Sequence, residues 1–256
     1  MTADSLLTAF ALPPETRVDQ RVPKKLLLEH GAPTVGDRRL VQEAIDALGW
    51  AAVLRPATVG LPGYRDEVRE YAELSVLTAM LRQGLRPAQV ARLTELVHRA
   101  VPYPVALVTS ADDGTATLSL AHKRRSATGG AAVIAELPVV AATLGPGALS
   151  DAEARFLTAL ASCTALAADL FALYQGWMNR VTALDTARVT GRWAVPATPA
   201  DAAARRQILD EHARLRREAT GVRAAAGRER QLARRVELNG QLRRLDVRLA
   251  ELAHAL

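Results

Sequence analysis

One cysteine, Cys163, is all that this chain of 256 residues carries. An internal disulfide is excluded, and a reducing compartment, the cytoplasm, is expected. Lysine is nearly as scarce: Lys24, Lys25 and Lys123 stand against thirty arginines. Aromatic residues number three Phe, three Trp and four Tyr, and none interleaves with the basic clusters. Recognition by stacking of unpaired bases is therefore disfavoured. No uncharged apolar run approaches the roughly eighteen residues of a membrane span, so no membrane partner is expected. Residues 1–11 have an apolar patch without a basic start or a small-residue cleavage site, so a signal peptide is not expected there. Neither a P-loop nor a dinucleotide-binding glycine motif occurs, which argues against a nucleotide-hydrolysing engine. There is no nucleophile elbow. The five histidines are scattered and none stands at ligand spacing to another or to Cys163. Neither a structural metal nor a cofactor is expected.

What is present reads as folded protein. About half the residues are apolar and 23% are charged, values of a globular chain of one or two domains. The formal charge of +6 is unevenly spread. Residues 200–256 hold 13 arginines against 8 acids, while the remainder holds 20 basic against 19 acidic residues. The body is nearly neutral and the tail is basic. Such a tail is either a solvated helical face or a surface for phosphates.

The pattern predicts an α+β body over residues 1–145. Residues 6–28 read as a short helix followed by extended chain, stopped by Pro13 and Pro14. Thr34 and Asp37 form a capping signal before a helix whose stripe runs through Leu40, Ala44, Ile45 and Leu48. Strands are predicted at 50–54, 74–81, 105–108 and 115–121. Pro87 opens a helix with Val90, Leu93, Leu96 and Val97 on one side. Asp112, Asp113 and Gly114 predict a hairpin turn, because Asp-Gly tolerates positive φ. The expected result is a small mixed sheet with helices over one face. Ser150 and Glu153 form a second capping box opening a helical segment over 146–192. Residues 193–200 read as a linker with Asp201 as the following cap, and 201–256 as coiled-coil-like helices. There, Leu238, Leu242, Leu245, Leu249 and Leu252 alternate spacings of four and three, an a/d seam that must meet Ile208, Leu215 and Val222, a second copy or a partner helix. Gly221 and Gly227 separate the two registers, so a hairpin or an interrupted helix is expected. The upstream stripe is the shorter one, which favours a homodimer or a partner helix on the Leu seam.

Two constellations could carry chemistry. Arg21, Lys24 and Lys25 cluster near the start, and Lys123, Arg124 and Arg125 end the predicted hairpin. Together on one sheet edge they would contact phosphates of a DNA backbone without reading sequence; apart, they are separate exposed charges. Asp66, Glu67, Glu70 and Glu73 are the acids that a metal-dependent nuclease would use. No acid precedes a lysine by one position, and acid-rich turns are usually just solvated. Cys163 reads as a small buried hydrophobe and His122 as a packing residue.

Four segments carry a resemblance. Leu12-Pro-Pro-Glu-Thr16 leads into Val18-Asp-Gln-Arg-Val-Pro-Lys-Lys25. Leu48-Gly-Trp50 precedes Leu54-Arg-Pro56. Val101-Pro-Tyr-Pro-Val105 precedes Leu118-Ser-Leu-Ala-His-Lys-Arg124. Glu229-Arg-Gln231 precedes Val236-Glu-Leu-Asn239. In this order they resemble bacterial proteins of domain-of-unknown-function family 4391. Arg82 stands where that family is expected to carry lysine, and Leu232 where it is expected to carry an aromatic residue. The resemblance implies a non-catalytic accessory protein, encoded beside helicases and DNA methyltransferases in prokaryotic antiphage and restriction-modification clusters. A helicase or methyltransferase is the partner it implies.

Overall fold

The computed structural model describes residues 3–124, 133–134 and 139–256. The chain divides into two compact units, Met1–Val181 and Thr182–Leu256. The division falls inside a helix, not at the linker expected over 193–200.

In chain order the first unit runs α1 (Ala3–Ala9), β1 (Arg17–Arg21), α2 (Lys25–His30), α3 (Val35–Ala44), β2 (Ile45–Leu54) and α4 (Pro56–Val59). Then follow β3 (Tyr64–Arg65), β4 (Glu70–Tyr71), β5 (Leu74–Leu81), α5 (Pro87–Ala100), β6 (Val105–Ala111) and β7 (Ala116–Leu120). The series continues with β8 (Lys123–Arg124), β9 (Val133–Ile134), β10 (Val140–Leu144), α6 (Asp151–Ala161), α7 (Cys163–Leu166) and α8 (Leu170–Thr190). Six strands form one mixed sheet in the order β1-β2-β5-β6-β7-β10. Only β5 and β6 pair in parallel, joined by the α5 crossover. The fold is α+β, as the pattern predicts.

The sheet is covered on both faces, not one. Leu74 to Leu77 and Val105 to Val108 are each four consecutive buried residues. A strand shows such a run only when both its faces are dry. On one face Leu77, Ala79 and Leu107 pack with Leu93, Leu96 and Val97 of α5, Leu27 of α2 and Val41 of α3. On the other, α1 lies against β6 and β7. Phe10, just after α1, meets Trp177 of α8 edge-on at 4.8 Å. The Tyr174 hydroxyl lies 2.8 Å from the Val105 carbonyl and accepts from the Ala121 N–H at 2.8 Å.

Two boundaries differ from the sequence reading. Lys25–His30 is helical, not extended. The helix capped by Thr34 stops at Ala44, and Ile45 begins a strand. The spacing of three between Ile45 and Leu48 imitates a helix. In the structure the register shifts between Ile45 and Ala47. That irregularity turns both side chains, 0% and 2% exposed, into the same core.

Local signals that involve only neighbouring residues stand as read. Pro87 opens α5, and Gly114 takes φ +80° in the β6–β7 hairpin. Ser150 and Glu153 bond reciprocally at the start of α6. Thr34 Oγ1 accepts from the Asp37 N–H at 3.0 Å.

In the second unit, residues 182–190 complete α8, followed by α9 (Pro199–Arg228) and α10 (Leu232–His254). Thr198, not Asp201, caps α9; it accepts from the Asp201 N–H, and the Asp201 carboxylate accepts from the Ala197 N–H. Gly221 and Gly227 lie inside α9, and the chain reverses at Glu229–Gln231, where the Gln231 N–H donates to Glu229 at 2.8 Å. The two helices pack as a hairpin. Arg248 bonds Glu211 at 3.1 Å and Arg223 pairs with Asp246 at 3.6 Å.

One clamp ties α3 to α5. Arg92 donates from Nε and Nη2 to the two Asp37 oxygens at 2.8 and 2.9 Å, and Thr34 donates to the same carboxylate at 2.8 Å. The Arg92 bonds hold the Asp37 carboxyl down at about 2, below its ordinary 3.8. The stability this group contributes is complete above the ordinary value and disappears as pH falls through the lower one. Arg92→Ala is expected to cost about 2 kcal/mol at neutral pH, the worth of a charge-assisted hydrogen bond. Denaturant titrations from neutral to strongly acid pH should show the wild-type advantage vanish over that window.

Candidate functional site

The two basic clusters do not share an edge. β1, carrying Arg21, is one border of the sheet, and β7, which leads to Lys123, is separated from it by β2, β5 and β6. Four strand spacings amount to roughly 19 Å. Arg21 and Lys25 are exposed, and Lys25 pairs with Glu29 at 3.5 Å. Lys24 turns its Nζ to the Ile45 carbonyl. Arg124 is exposed on β8, and Arg125 lies outside the described residues.

Lys123 is not a surface residue. It is 2% exposed, and its Nζ donates to the carbonyls of Val101, at 2.8 Å, and His98. These are carbonyls of the last turn of α5, which the helix itself leaves unpaired. A cation there satisfies them and complements the negative end of the helix dipole. Burial pushes the Lys123 amine down to about 8. Burial, and then the nearby Lys123 charge, push His98 down to about 3. His98 is therefore neutral, with Nε2 3.1 Å from the Ser119 hydroxyl. The third lysine of the proposed phosphate patch is a helix cap.

The acids of the nuclease reading have local duties. Asp66 accepts from the Tyr64 hydroxyl and the Val68 N–H, both at 2.8 Å, and from the Arg69 N–H, closing the β3–β4 turn. The backbone bond from Arg69 and the Tyr64 hydroxyl hold its carboxyl below the usual range. Glu73 pairs with Arg55 at 2.9 Å and Glu70 with Arg65 at 3.7 Å, while Glu67 is exposed. Among the described residues no three His, Cys, Asp or Glu side chains converge as a metal site would need.

A buried network that the sequence does not announce surrounds His122. The Tyr71 hydroxyl lies 2.5 Å from Nδ1, and Nε2 lies 2.9 Å from Gln175 Oε1. Gln175 in turn donates to Asn179 at 2.7 Å. Because Gln175 Oε1 can only accept, His122 donates to it from Nε2. Phe171 stacks on His122 at 5.4 Å, and Arg69 lies over the Phe171 ring at 5.5 Å. Tyr64, Tyr71, Phe171, Tyr174, Trp177 and Phe10 form one chain of ring contacts. Most of the scarce aromatic residues are thus spent on this core.

A cleft of about 1010 Å³ opens on the α5 face of the sheet, lined in part by Val90, Thr94, Thr109, Thr117 and Thr143. Its hydroxyls bond inward, Thr117 to Thr143 at 3.0 Å and Thr94 to the Val90 carbonyl at 2.9 Å.

The exposed positive charge concentrates at the tip of the α9–α10 hairpin. Arg228 ends α9, and Arg230, Arg234 and Arg235 follow around the turn, all exposed. Arg234 pairs with Glu237 at 2.6 Å. Arg228, Arg230 and Arg235 have no ion-pair partner among the described residues. The Leu seam faces inward along this hairpin. Leu252 is buried, and Leu238, Leu242, Leu245 and Leu249 are half-buried. The ion pairs from Arg248 and Asp246 to α9 flank the seam on either side. α9 covers this seam in part: Leu252 is buried, and the other four leucines keep some surface open within one chain.

Lys123→Glu should lower the unfolding free energy by at least about 3 kcal/mol, because a buried carboxylate would face two carbonyl oxygens. Lys25→Glu, at an exposed site, should change it by less than about 0.5 kcal/mol. Thermal melts of the two variants distinguish a helix cap from a surface patch.

No curated protein and no solved structure matches the chain. One family model does, over residues 10–249, and the chain belongs to that family, described as Domain of unknown function (DUF4391).

Proposed function

We propose that this protein is a non-catalytic accessory subunit of a prokaryotic antiphage or restriction-modification-type system. It docks a helicase or DNA methyltransferase and contacts the DNA backbone without reading sequence. The observation that carries the DNA part is the hairpin tip, where Arg228 and Arg230 stand exposed without ion-pair partners among the described residues. The phosphate contact is therefore assigned to the tip and not to Lys24, Lys25 and Lys123. Arginine suits this work, since its planar fork matches phosphate oxygens. Without aromatic neighbours these arginines offer no platform for stacking unpaired bases, and backbone phosphates are the contact assigned to them. The sheet unit is the scaffold in this reading and offers the surface for the partner enzyme. Cytoplasmic location belongs to the same reading; among the described residues no helix is long and apolar enough to cross a membrane. The nuclease alternative would require Asp66 to leave the turn it closes and Glu73 to leave Arg55.

Fluorescence anisotropy with a short labelled duplex tests the DNA contact. Binding should weaken steeply with salt, and Arg228→Glu/Arg230→Glu should abolish it at moderate salt. The corresponding alanine variant should reduce the salt slope by about 2, near one unit per lost phosphate contact. Lys24→Glu/Lys25→Glu should leave binding unchanged. Absence of binding at low salt, or indifference to the arginine changes, contradicts the assignment.

A further inference from the structure

The face of α10 turned away from the Leu seam carries a second stripe. Leu232, Val236 and Val247 are 67%, 62% and 61% exposed. With Gly240, Arg243 and Ala250 they form a row at spacings of four, four, three, four and three. At 3.6 residues per turn the row is centred about 150° around the helix from the seam. Among the described residues of the α9–α10 hairpin none covers it, although large side chains at this exposure each forgo burial. Gly240 is equally unexplained within one chain. A glycine inside a helix costs about 1 kcal/mol relative to alanine. A Cβ there would meet only the far end of Arg244, at 3.8 Å. Neither positive φ nor close intrachain packing requires glycine at this place.

Reversed end to end, the stripe nearly matches itself about a point close to residue 241. Val236 falls opposite Val247, Leu232 opposite Ala250, and Gly240 opposite Arg243. The flanks show a similar relation, centred one residue nearer the N-terminus. Arg235 and Asp246 lie on one flank, and reversal sets each against the other. Glu237 and Arg244 lie on the other flank and do the same. An antiparallel two-fold pairing joins a flank to its own copy, so each flank brings opposite charges together twice. We propose that this face is a homodimer interface, on which α10 of a second copy packs antiparallel. The occupant is a second copy of this chain because both the apolar row and the charges complement themselves. Gly240 then gives the Arg243 stem of the second copy room to lie across the helix. Asp246 sits between Arg223 of its own chain and Arg235 of the other. This interface is distinct from the Leu seam, which α9 covers in part.

The pairing has a consequence that rests on the DNA reading above. The two arginine tips would lie at opposite ends of the paired helices, about 32 Å apart at 1.5 Å per residue. That is close to one turn of duplex DNA, about 34 Å.

Analytical ultracentrifugation of the full chain tests the interface independently of DNA. Wild type should sediment as twice the 27.4 kDa chain mass at high micromolar concentration. Val236→Asp/Val247→Asp should be monomeric with unchanged helical circular dichroism, since both residues are exposed. Glu237→Arg and Arg244→Glu should each weaken the dimer about tenfold, and the double reversal should restore it. Mixing Val236→Cys protein with Val247→Cys protein should yield a disulfide-linked pair, and neither should cross-link alone. A monomeric wild type, or a dimer indifferent to Val236→Asp/Val247→Asp, overturns the proposal; a lone Val236→Cys protein that cross-links to itself overturns the antiparallel register.

Discussion

Two parallel strands, β5 and β6, are dry on both faces over Leu74 to Leu77 and Val105 to Val108, and the rest of the first unit answers to that constraint. A parallel pair needs a crossover, and α5 both makes the connection and covers one face. The other face needs its own cover, which α1 and α8 supply through Leu6, Phe10, Tyr174 and Trp177. The crossover leaves the carbonyl end of α5 inside the protein. Those carbonyls require a donor, and Lys123 reaches them from just beyond β7. Tyr174 likewise satisfies the backbone where β6 begins and β7 ends. These backbone groups are buried by strand topology, and Lys123 and Tyr174 pair them because unpaired ones would be costly.

Charge is divided between the units according to this arrangement. In the sheet unit, buried or clamped charges hold elements together: Lys123 on α5, and Arg92 on Asp37. In the hairpin unit some arginines pair with acids of α9 and α10, and those at the turn, Arg228 and Arg230, stand exposed. Residues 200–256 carry nearly all of the net positive charge, and part of it lies where the chain turns. A rigid hairpin places that turn away from its own packing surfaces.

Signals confined to neighbouring residues were legible in the sequence. The Thr34 and Ser150 caps, Pro87 at the start of α5 and the Asp113-Gly114 turn each depend on contacts within about four residues. The Leu seam was legible because its spacing repeats over several turns. Ile45 and Leu48 were misread because a register shift lets a strand place residues three apart on one face, which no local rule discloses. Lys123 was misread because its fate depends on where α5 ends in space. Its scarcity as a lysine suggested function, and its surroundings make it structural. The arginines of the tip were counted in the basic tail but not singled out, since a turn inside a long helical stretch decides that they cluster. The second stripe on α10 is not legible as a hydrophobic repeat because Gly240 and Arg243 interrupt it.

The central claim is that the hairpin is the part of this molecule that meets nucleic acid while the sheet unit is scaffold. Amide hydrogen exchange with and without a short DNA duplex tests that claim most directly. Slowed exchange around residues 228–235, with no change at 21–25, 66–73 or 123–124, is the predicted result. Protection at 21–25 and 123–124, or at the 66–73 acids, with the tip unaffected would contradict it.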